Sequence, residues 1–232
     1  MDHRDVQDAL REIADPEVAE SSARFFKTGP GEYSEGDQFL GIRVPKVRKI
    51  AREFNQLSLK ETELLLHSDF HEERLCALIM LINKYQRAEK EEQKEIFDRY
   101  LNNTEYINNW DLVDTSAQHI VGPHLSDKKR SILYKLAKSD NLWEKRIAIL
   151  STFYFIKNDD FEDTLAIANL LLKDEHDLIH KAVGWMLREI GKRSEQTLKR
   201  FLDEHVDLMP RTMLRYAIEK LSESDRQMYL SK

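Results

Sequence analysis

The segment NNWDLVDTSAQHIVG, residues 108–122, places two acids and a large aromatic side chain within five positions. Trp110 and Asp114 are four residues apart, so a helix presents them on one face. Asp111 directly follows the tryptophan. Acids are favoured in the first turn of a helix, and this structural role is the preferred interpretation of Asp111. In a cationic groove, such a carboxylate would either repel a phosphate or face a positively charged group.

The other two tryptophans of the chain stand near cations at helical spacing. Trp143 precedes Arg146 by three residues, and Trp185 lies between Lys181 and Arg188. If the helices that carry them stack, the result is a cleft with aromatic walls, carboxylates and flanking cations. Each residue also has a structural interpretation. A helical tryptophan is usually part of the core, which is preferred for Trp143, and Arg146 could form an ordinary ion pair.

A repeat of about 35 residues is expected to position these side chains. Equivalent positions occur in five apolar helices, at Arg74, Asp111, Arg146, Lys181 and Arg215, with steps of 37, 35, 35 and 34 residues. A drifting period of this size is typical of stacked HEAT-like helix pairs, whose second helices line a concave surface. We therefore predict an all-α fold, an α-solenoid with a concave basic groove. Among these five equivalent positions, Asp111 is the one acid and the other four are basic.

The predicted organisation is a single HEAT-like repeat domain over residues 1–232. Residues 1–56 form N-terminal helices and a glycine-rich loop, and residues 57–232 form the repeats. The loop lies within FFKTGPGEYSEGDQFLGIRVPKVR, which holds four of the seven Gly and two of the five Pro. No Gly-Lys-Ser/Thr motif follows, so an ordered structural loop is preferred over a phosphate-binding loop.

Charge is distributed unevenly along the chain. The formal net charge of -6, taken alone, argues against nucleic acid as a partner, because phosphates require clustered cations. However, bases gather in RVPKVRKIAR, KKRSILYKLAK and HKAVGWMLREIGKR, whereas acids gather in MDHRDVQDALREIADPEVAE and EKEEQKEIFD. We therefore expect one acidic side and one basic side.

The sequence indicates a soluble protein of a reducing compartment. Cys76, the single cysteine, lies in the apolar run RLCALIMLI, so we expect a buried side chain and no internal disulfide. The N-terminus lacks the pattern of a signal peptide, and no stretch approaches the roughly 18 apolar residues of a membrane span. We expect a cytoplasmic monomer with no membrane partner.

Other chemistries have weaker signals. His176 and His180 have the i, i+4 spacing of a zinc site, but the HEXXH motif is absent and a structural histidine pair is preferred. The chain also lacks a serine or cysteine nucleophile in a recognisable elbow.

The segments WDLVD, NLWEKRIAI and HKAVGWMLRE, at these separations, resemble the AlkD-like branch of the HEAT-like-repeat DNA alkylation-repair glycosylases. The resemblance extends over nearly the whole chain, from SSARFF through FLGIRVPKVR to MPRTMLRYAIEK. Members of this family hydrolyse the N-glycosidic bond of purines alkylated at N3 or N7, without a metal or cofactor. The resemblance therefore implies double-stranded DNA with alkylated bases as the partner.

The resemblance also assigns roles to residues. It implies that Asp114 is the catalytic aspartate and that Trp110 and Trp185 are the paired tryptophans of the cleft. It places the groove arginine at Arg146. The N-terminal aromatic falls on Phe25, which has no hydroxyl group, and the loop TGPGEYSEGDQ is longer than in the best-known members.

These assignments imply a definite chemistry. An N3- or N7-alkylpurine already carries a positive charge, so it leaves without a general acid. Asp114 would stabilise the oxocarbenium-like sugar and orient or deprotonate the attacking water. Aromatic faces complement the same cations. Arg146, Lys181 and Arg188 would contact the flanking phosphates without reading the base sequence.

Two other classes of function remain open at this point. A non-catalytic HEAT-like protein could bind damaged or branched DNA without cleaving the bond, and HEAT-like solenoids also serve as protein-interaction scaffolds. The joint presence of Trp110, Asp114, Arg146 and Trp185 favours the glycosylase.

Overall fold

The structure is a computed structural model that describes all residues from 1 to 232. It consists of helices and connecting loops, and the one isolated β-bridge joins Gln38 to Phe70. The predicted all-α fold class is therefore confirmed. No helix combines the length and the apolar character that a membrane span requires.

The first of two compact units is Met1–Ser116, and the division between the units falls inside its last helix. Its helices are α1 (His3–Glu12), α2 (Pro16–Phe26), α3 (Val44–Glu53), α4 (Leu59–Leu66), α5 (His71–Tyr85), α6 (Lys90–Asn102) and α7 (Trp110–His124). A short 3-10 helix at Thr104–Tyr106 precedes α7. α5 is the central helix, because it packs against α1, α3, α4 and α6 and its first twelve residues are all buried.

The second compact unit is Ala117–Lys232. It contains α8 (Ser131–Ala137), α9 (Leu142–Ser151), α10 (Phe153–Ile156), α11 (Glu162–Leu170), α12 (Asp177–Arg193), α13 (Glu195–His205), α14 (Arg211–Ile218) and α15 (Glu223–Ser231). A 3-10 helix at Val206–Leu208 separates α13 from α14. α12 is central here and packs against α9, α10, α11, α13 and α14.

The residues that mark the sequence repeat all lie on second helices of successive pairs. They are Arg74 on α5, Asp111 on α7, Arg146 on α9, Lys181 on α12 and Arg215 on α14. The helices that precede these five are α4, α6, α8, α11 and α13. These helices follow one another in pairs without a sheet, so the predicted α-solenoid of helix pairs is confirmed. The organisation of residues 1–232 as one domain with a concave basic groove stays a prediction.

Local sequence explains where the elements near the glycine-rich loop begin and end. Asp15 caps α2 by accepting hydrogen bonds from two backbone amides, and Pro16 occupies the first helical position. α2 ends at Lys27, which adopts a left-handed conformation with φ 57°. The chain then forms turns and bends until α3 begins at Val44. The predicted ordered loop between helices is thus confirmed.

Within the second unit, α12 and α14 approach closely at Gly184. A Cβ atom at this position would lie 2.5 Å from the carbonyl oxygen of Met213 and 2.5 Å from Cβ of Tyr216. Only glycine fits here without moving a backbone. The close packing of α12 on α14 therefore requires the glycine that precedes Trp185 in GWMLRE.

Candidate functional site

α7 begins at a buried asparagine that the glycine-rich loop holds in place. Oδ1 of Asn109 accepts a hydrogen bond from the amide of Trp110 at 2.8 Å, and its carbonyl oxygen accepts one from the amide of Val113 at 3.2 Å. Nδ2 of Asn109 donates to Oγ of Ser34 in the loop at 2.5 Å. The loop therefore helps to position the first turn of α7, which carries Trp110 and Asp111.

Asp111 contacts a buried histidine. Oδ2 of Asp111 lies 2.9 Å from Nε2 of His71, and Nδ1 of His71 lies 3.0 Å from Oδ2 of Asp37. Burial alone would lower the pKa of His71, but the charges and hydrogen bonds of the two carboxylates raise it to about 9. The ring is therefore an imidazolium at neutral pH and donates both N–H groups. Asp111 has the structural role expected of it, with a partner that the sequence did not reveal.

Asp37 comes from the glycine-rich loop and accepts hydrogen bonds from two cations. Nη2 of Arg74 donates to Oδ1 of Asp37 at 2.7 Å, while His71 occupies Oδ2. Burial raises the pKa of Asp37, but the contacts with His71 and Arg74 outweigh it and hold that pKa below its usual value. We call Asp37, His71, Arg74 and Asp111 the histidine network. Its carboxylates alternate with its cations, and the resulting ion pairs join the loop to α5 and α5 to α7.

Two further buried acids at the start of α5 fix neighbouring segments. The carboxylate of Glu72 accepts hydrogen bonds from the backbone amides of residues 40–42 at 2.8 to 3.0 Å. Glu73 accepts from Gln7 and Arg11 of α1. This role of HEER, residues 71–74, was not predicted from the sequence. The available signal was a run of four polar residues at the start of an otherwise apolar helix.

Aromatic rings surround His71 and Trp110. Phe39 stacks on His71 with ring centroids 4.6 Å apart. Phe26 lies 5.0 Å from the ring of His71 and 5.3 Å from that of Trp110. Phe25 meets the edge of Trp110 at 6.0 Å, although its side chain is 65% exposed. The structure therefore brings together Phe25 and Trp110, two of the predicted site residues.

A cavity of about 560 Å³ opens beside these rings. It lies between α2, the start of α3 and the start of α5. Phe25, Phe26, Phe39, His71 and Asp111 contribute to its wall. Trp110 and Asp114 do not line it, so this cavity, which we call the aromatic cavity, is distinct from the predicted catalytic residues.

Asp114 lies one helical turn after Trp110 on α7 and is half-buried. Burial and, to a lesser degree, the negative charge of Asp114 raise the pKa of Tyr100, whose hydroxyl contacts Oγ of Ser116 at 2.8 Å. The carboxylate of Asp114 therefore lies near the buried hydroxyl group of Tyr100.

The second unit places Arg146 and Trp143 in buried positions. Arg146 is 5% exposed, and its Nη1 donates to the carbonyl oxygen of Leu178 at 2.5 Å. This contact ties α9 to the first turn of α12. Trp143 is 7% exposed, which confirms that it belongs to the core.

α12 presents the remaining predicted residues. Nζ of Lys181 lies 2.7 Å from Oδ2 of Asp177, and the guanidinium of Arg188 contacts Glu219. Nε1 of Trp185 donates to Oε1 of Glu189 at 3.1 Å. The two cations predicted to bind phosphate on this helix therefore face acids.

Residues considered for other chemistries have structural contacts. Nδ1 of His176 accepts from the amide of Leu178 and caps α12, and Nε2 of His180 contacts the carbonyl oxygen of Asp174. Cys76 is fully buried, as predicted, and burial raises the pKa of its thiol to about 12. The thiol is therefore unreactive at neutral pH.

Comparison with known proteins identifies relatives of this architecture. The sequence model of a family described as DNA alkylation repair enzyme matches residues 6–221. The fold resembles a solved structure described as a predicted DNA alkylation repair enzyme from Enterococcus faecalis, with a TM-score of 0.71 and 19% identity over 90% of this chain and 97% of the other. It also resembles smu.31 from Streptococcus mutans UA159, with a TM-score of 0.52 and 17% identity over 95% and 98% of the two chains. No curated protein sequence gives a significant match.

Proposed function

Because the chain belongs to the DNA alkylation repair enzyme family, we propose that it is a monofunctional DNA glycosylase acting on purines alkylated at N3 or N7 in duplex DNA. The observation that carries this proposal is the first part of α7. There a half-buried carboxylate, Asp114, follows Trp110 by one helical turn, and the start of the helix is fixed by buried contacts.

The proposed reaction is hydrolysis of the N-glycosidic bond. The bond between C1′ and the purine nitrogen breaks with its electron pair moving to the base, which leaves neutral because it was a cation before. The carboxylate of Asp114 stabilises the positive charge that develops on the sugar, and water then forms the new bond to C1′. Asp114 orients this water and accepts its proton, which passes to solvent.

Aromatic side chains favour binding of a cationic alkylated base over a neutral one. Trp110 and Phe25 are proposed to contact the cationic nucleotide through their ring faces, worth roughly 0.5 to 2 kcal/mol for each contact. Trp185, in the second unit, is proposed to contact DNA as well. A neutral purine gains less from these faces and is also the poorer leaving group. The lesion is therefore selected by its charge and its weakened bond.

Arg146, Lys181 and Arg188 are proposed to bind DNA phosphates, Arg146 through the small part of its surface that is exposed. Lys181 and Arg188 already face acids, so phosphate contacts would replace these ion pairs. Exposed ion pairs contribute about 0 to 1 kcal/mol, so the exchange costs little.

The direct test is incubation of the purified protein with methylated duplex DNA. We expect release of free 7-methylguanine or 3-methyladenine above the spontaneous rate. Binding of the same duplex without any base release would instead indicate a non-catalytic DNA-binding protein and contradict the glycosylase proposal.

A further inference from the structure

The residue before Trp110 is tied to the glycine-rich loop. Asn109 and Ser34 are both buried. Nδ2 of Asn109 donates to Oγ of Ser34 at 2.5 Å, while Oδ1 of the same amide group accepts from the backbone amide of Trp110 at 2.8 Å. Because both ends of the amide group are occupied, the hydroxyl of Ser34 holds Asn109 in the rotamer that contacts the start of α7.

The residue after Trp110 is tied to the same part of the loop. Asp111 contacts His71, and His71 contacts Asp37 of the loop, so this link passes through one buried imidazolium. Ser34 and Asp37 belong to one turn, in which the amide of Asp37 donates to the carbonyl oxygen of Ser34 at 3.0 Å. This turn therefore contacts α7 directly on one side of Trp110 and through His71 on the other.

The turn is itself anchored at both ends. The amide of Ser34 donates to the carbonyl oxygen of Lys27, where α2 ends, at 3.3 Å. After the turn, the carbonyl oxygen of Gln38 accepts from the amide of His71 at 2.8 Å. The turn is therefore fixed to α2 and α5 independently of its contacts with α7, and it serves as a reference for the position of that helix.

We propose that Ser34 is a positioning residue for base excision and acts through Asn109. By fixing the first turn of α7, it sets the orientation of Trp110 and of the carboxylate of Asp114, one turn further along the same helix. This inference rests on the proposed function, in which Asp114 stabilises the positive charge on the sugar. Ser34 is buried and needs no contact with DNA for this role.

The expected effect is on the rate of the chemical step. Electrostatic stabilisation depends on groups that are already oriented before the reaction. Without the hydroxyl of Ser34, Nδ2 of Asn109 is a buried donor that lacks a partner, and the start of α7 shifts to satisfy it. Because a misplacement of about 1 Å can cost roughly 10²-fold in rate, a smaller shift should lower base release by about tenfold.

The test compares two buried serines. Ser34→Ala removes the contact with Asn109, whereas Ser151→Ala on α9 removes a hydroxyl that donates to the carbonyl oxygen of Ile147 at 2.6 Å. Each variant loses one buried hydrogen bond, so both should unfold at a lower urea concentration than the wild type. Single-turnover release of 7-methylguanine at saturating enzyme should fall by about tenfold in Ser34→Ala only. The affinity of Ser34→Ala for undamaged duplex should not change.

A double-mutant cycle tests whether Ser34 acts through Asn109. Asn109→Ser keeps a side-chain acceptor that is favoured at a helix start, but its shorter side chain does not reach Ser34. It should lower release as much as Ser34→Ala does, and the two substitutions together should lower it no further, because both remove the same contact. Ser34→Thr, which keeps the hydroxyl, should release the base faster than Ser34→Ala.

Three results would overturn the proposal. They are wild-type release by the folded Ser34→Ala variant, equal losses of release in Ser34→Ala and Ser151→Ala, and losses that multiply in the double variant. Absence of base release by the wild type would instead overturn the proposed function, so the two failures are distinguishable.

Discussion

His71 combines burial with a positive charge, which a protein core tolerates only when the charge is paired. Its two ring nitrogens contact Asp37 and Asp111, and the rings of Phe39 and Phe26 cover its faces. Removing one partner of such a group leaves an uncompensated buried charge. The residue therefore stabilises the junction of the glycine-rich loop with α7.

The first prediction concerns the pH dependence of stability. The pKa of His71 rises from 6.5 in the unfolded chain to about 9 in the folded protein. Its stabilising contribution is therefore fully present below about pH 6.5 and is lost as the pH rises through about 9. We expect the free energy of unfolding of the wild type to fall between pH 7 and 9.5.

His71→Asn serves as the reference for that prediction. It should lower the free energy of unfolding by about 3 kcal/mol at pH 7, because a buried ion pair loses one partner. The difference between wild type and variant should shrink towards pH 9.5. A difference that stays constant over this range, measured by urea unfolding, would show that His71 is not charged in the folded protein.

At the scale of elements, the glycine-rich loop returns to α2 and α5 through Gly41. This residue has a φ of 77°, and a Cβ atom there would lie 2.0 Å from the carbonyl oxygen of Asp15. Its amide donates to Glu72 at 2.8 Å. The loop therefore depends on a glycine both for its backbone conformation and for its contact with the start of α2.

Gly31 provides a matched comparison for Gly41. It also has a positive φ, of 76°, but a Cβ atom there meets nothing within 4 Å. Gly31→Ala should therefore cost only the backbone strain, about 1 to 2 kcal/mol. Gly41→Ala adds a steric clash and should cost roughly 3 kcal/mol or more. Equal losses in urea unfolding of the two variants would contradict the close packing of the loop on α2.

The positions of the helices were predictable, because apolar periodicity and helix breakers are local properties of a chain. The helix pairs, the core position of Trp143 and the burial of Cys76 all follow from such patterns. The histidine network was not predictable in this way. His71 lies 34 residues from Asp37 and 40 from Asp111. Contacts over these separations depend on how helices pack, which residue spacing does not report.

The acids that face Lys181 and Arg188 differ in how far the sequence could have predicted them. Asp177 lies four residues before Lys181, so that pair is a local helical contact that spacing could have indicated. Glu219 lies 31 residues after Arg188, on the segment that follows α14, and only the packing of the second unit brings the two together.

At the scale of the whole molecule, DNA binding must occur despite a net charge of -6. Such binding depends on the local distribution of cations rather than on the total, because affinity reflects the counterions released at the contacted phosphates. We expect the affinity for undamaged duplex to fall steeply with added salt. Lys181→Gln and Arg188→Gln should each reduce the slope of log K against log salt by about one.

Lys60→Gln is the control for these salt titrations and should leave the slope unchanged. Fluorescence anisotropy with a labelled duplex at several salt concentrations measures all three variants in the same way. Binding that does not respond to salt, or equal slopes for wild type and Arg188→Gln, would exclude the proposed phosphate contacts.

Single-turnover base release by Asp114→Asn measures the proposed catalytic role of this carboxylate. The substitution keeps the shape of the side chain and removes its charge, so release of 7-methylguanine from a duplex should fall by roughly 10²-fold or more, as for loss of one preorganised electrostatic group. Duplex affinity should be retained or increased, because a negative charge near phosphates is lost. A purely structural Asp114 would instead show a stability loss of about 0.5 to 2 kcal/mol. Unchanged release by the folded variant would contradict the proposed mechanism.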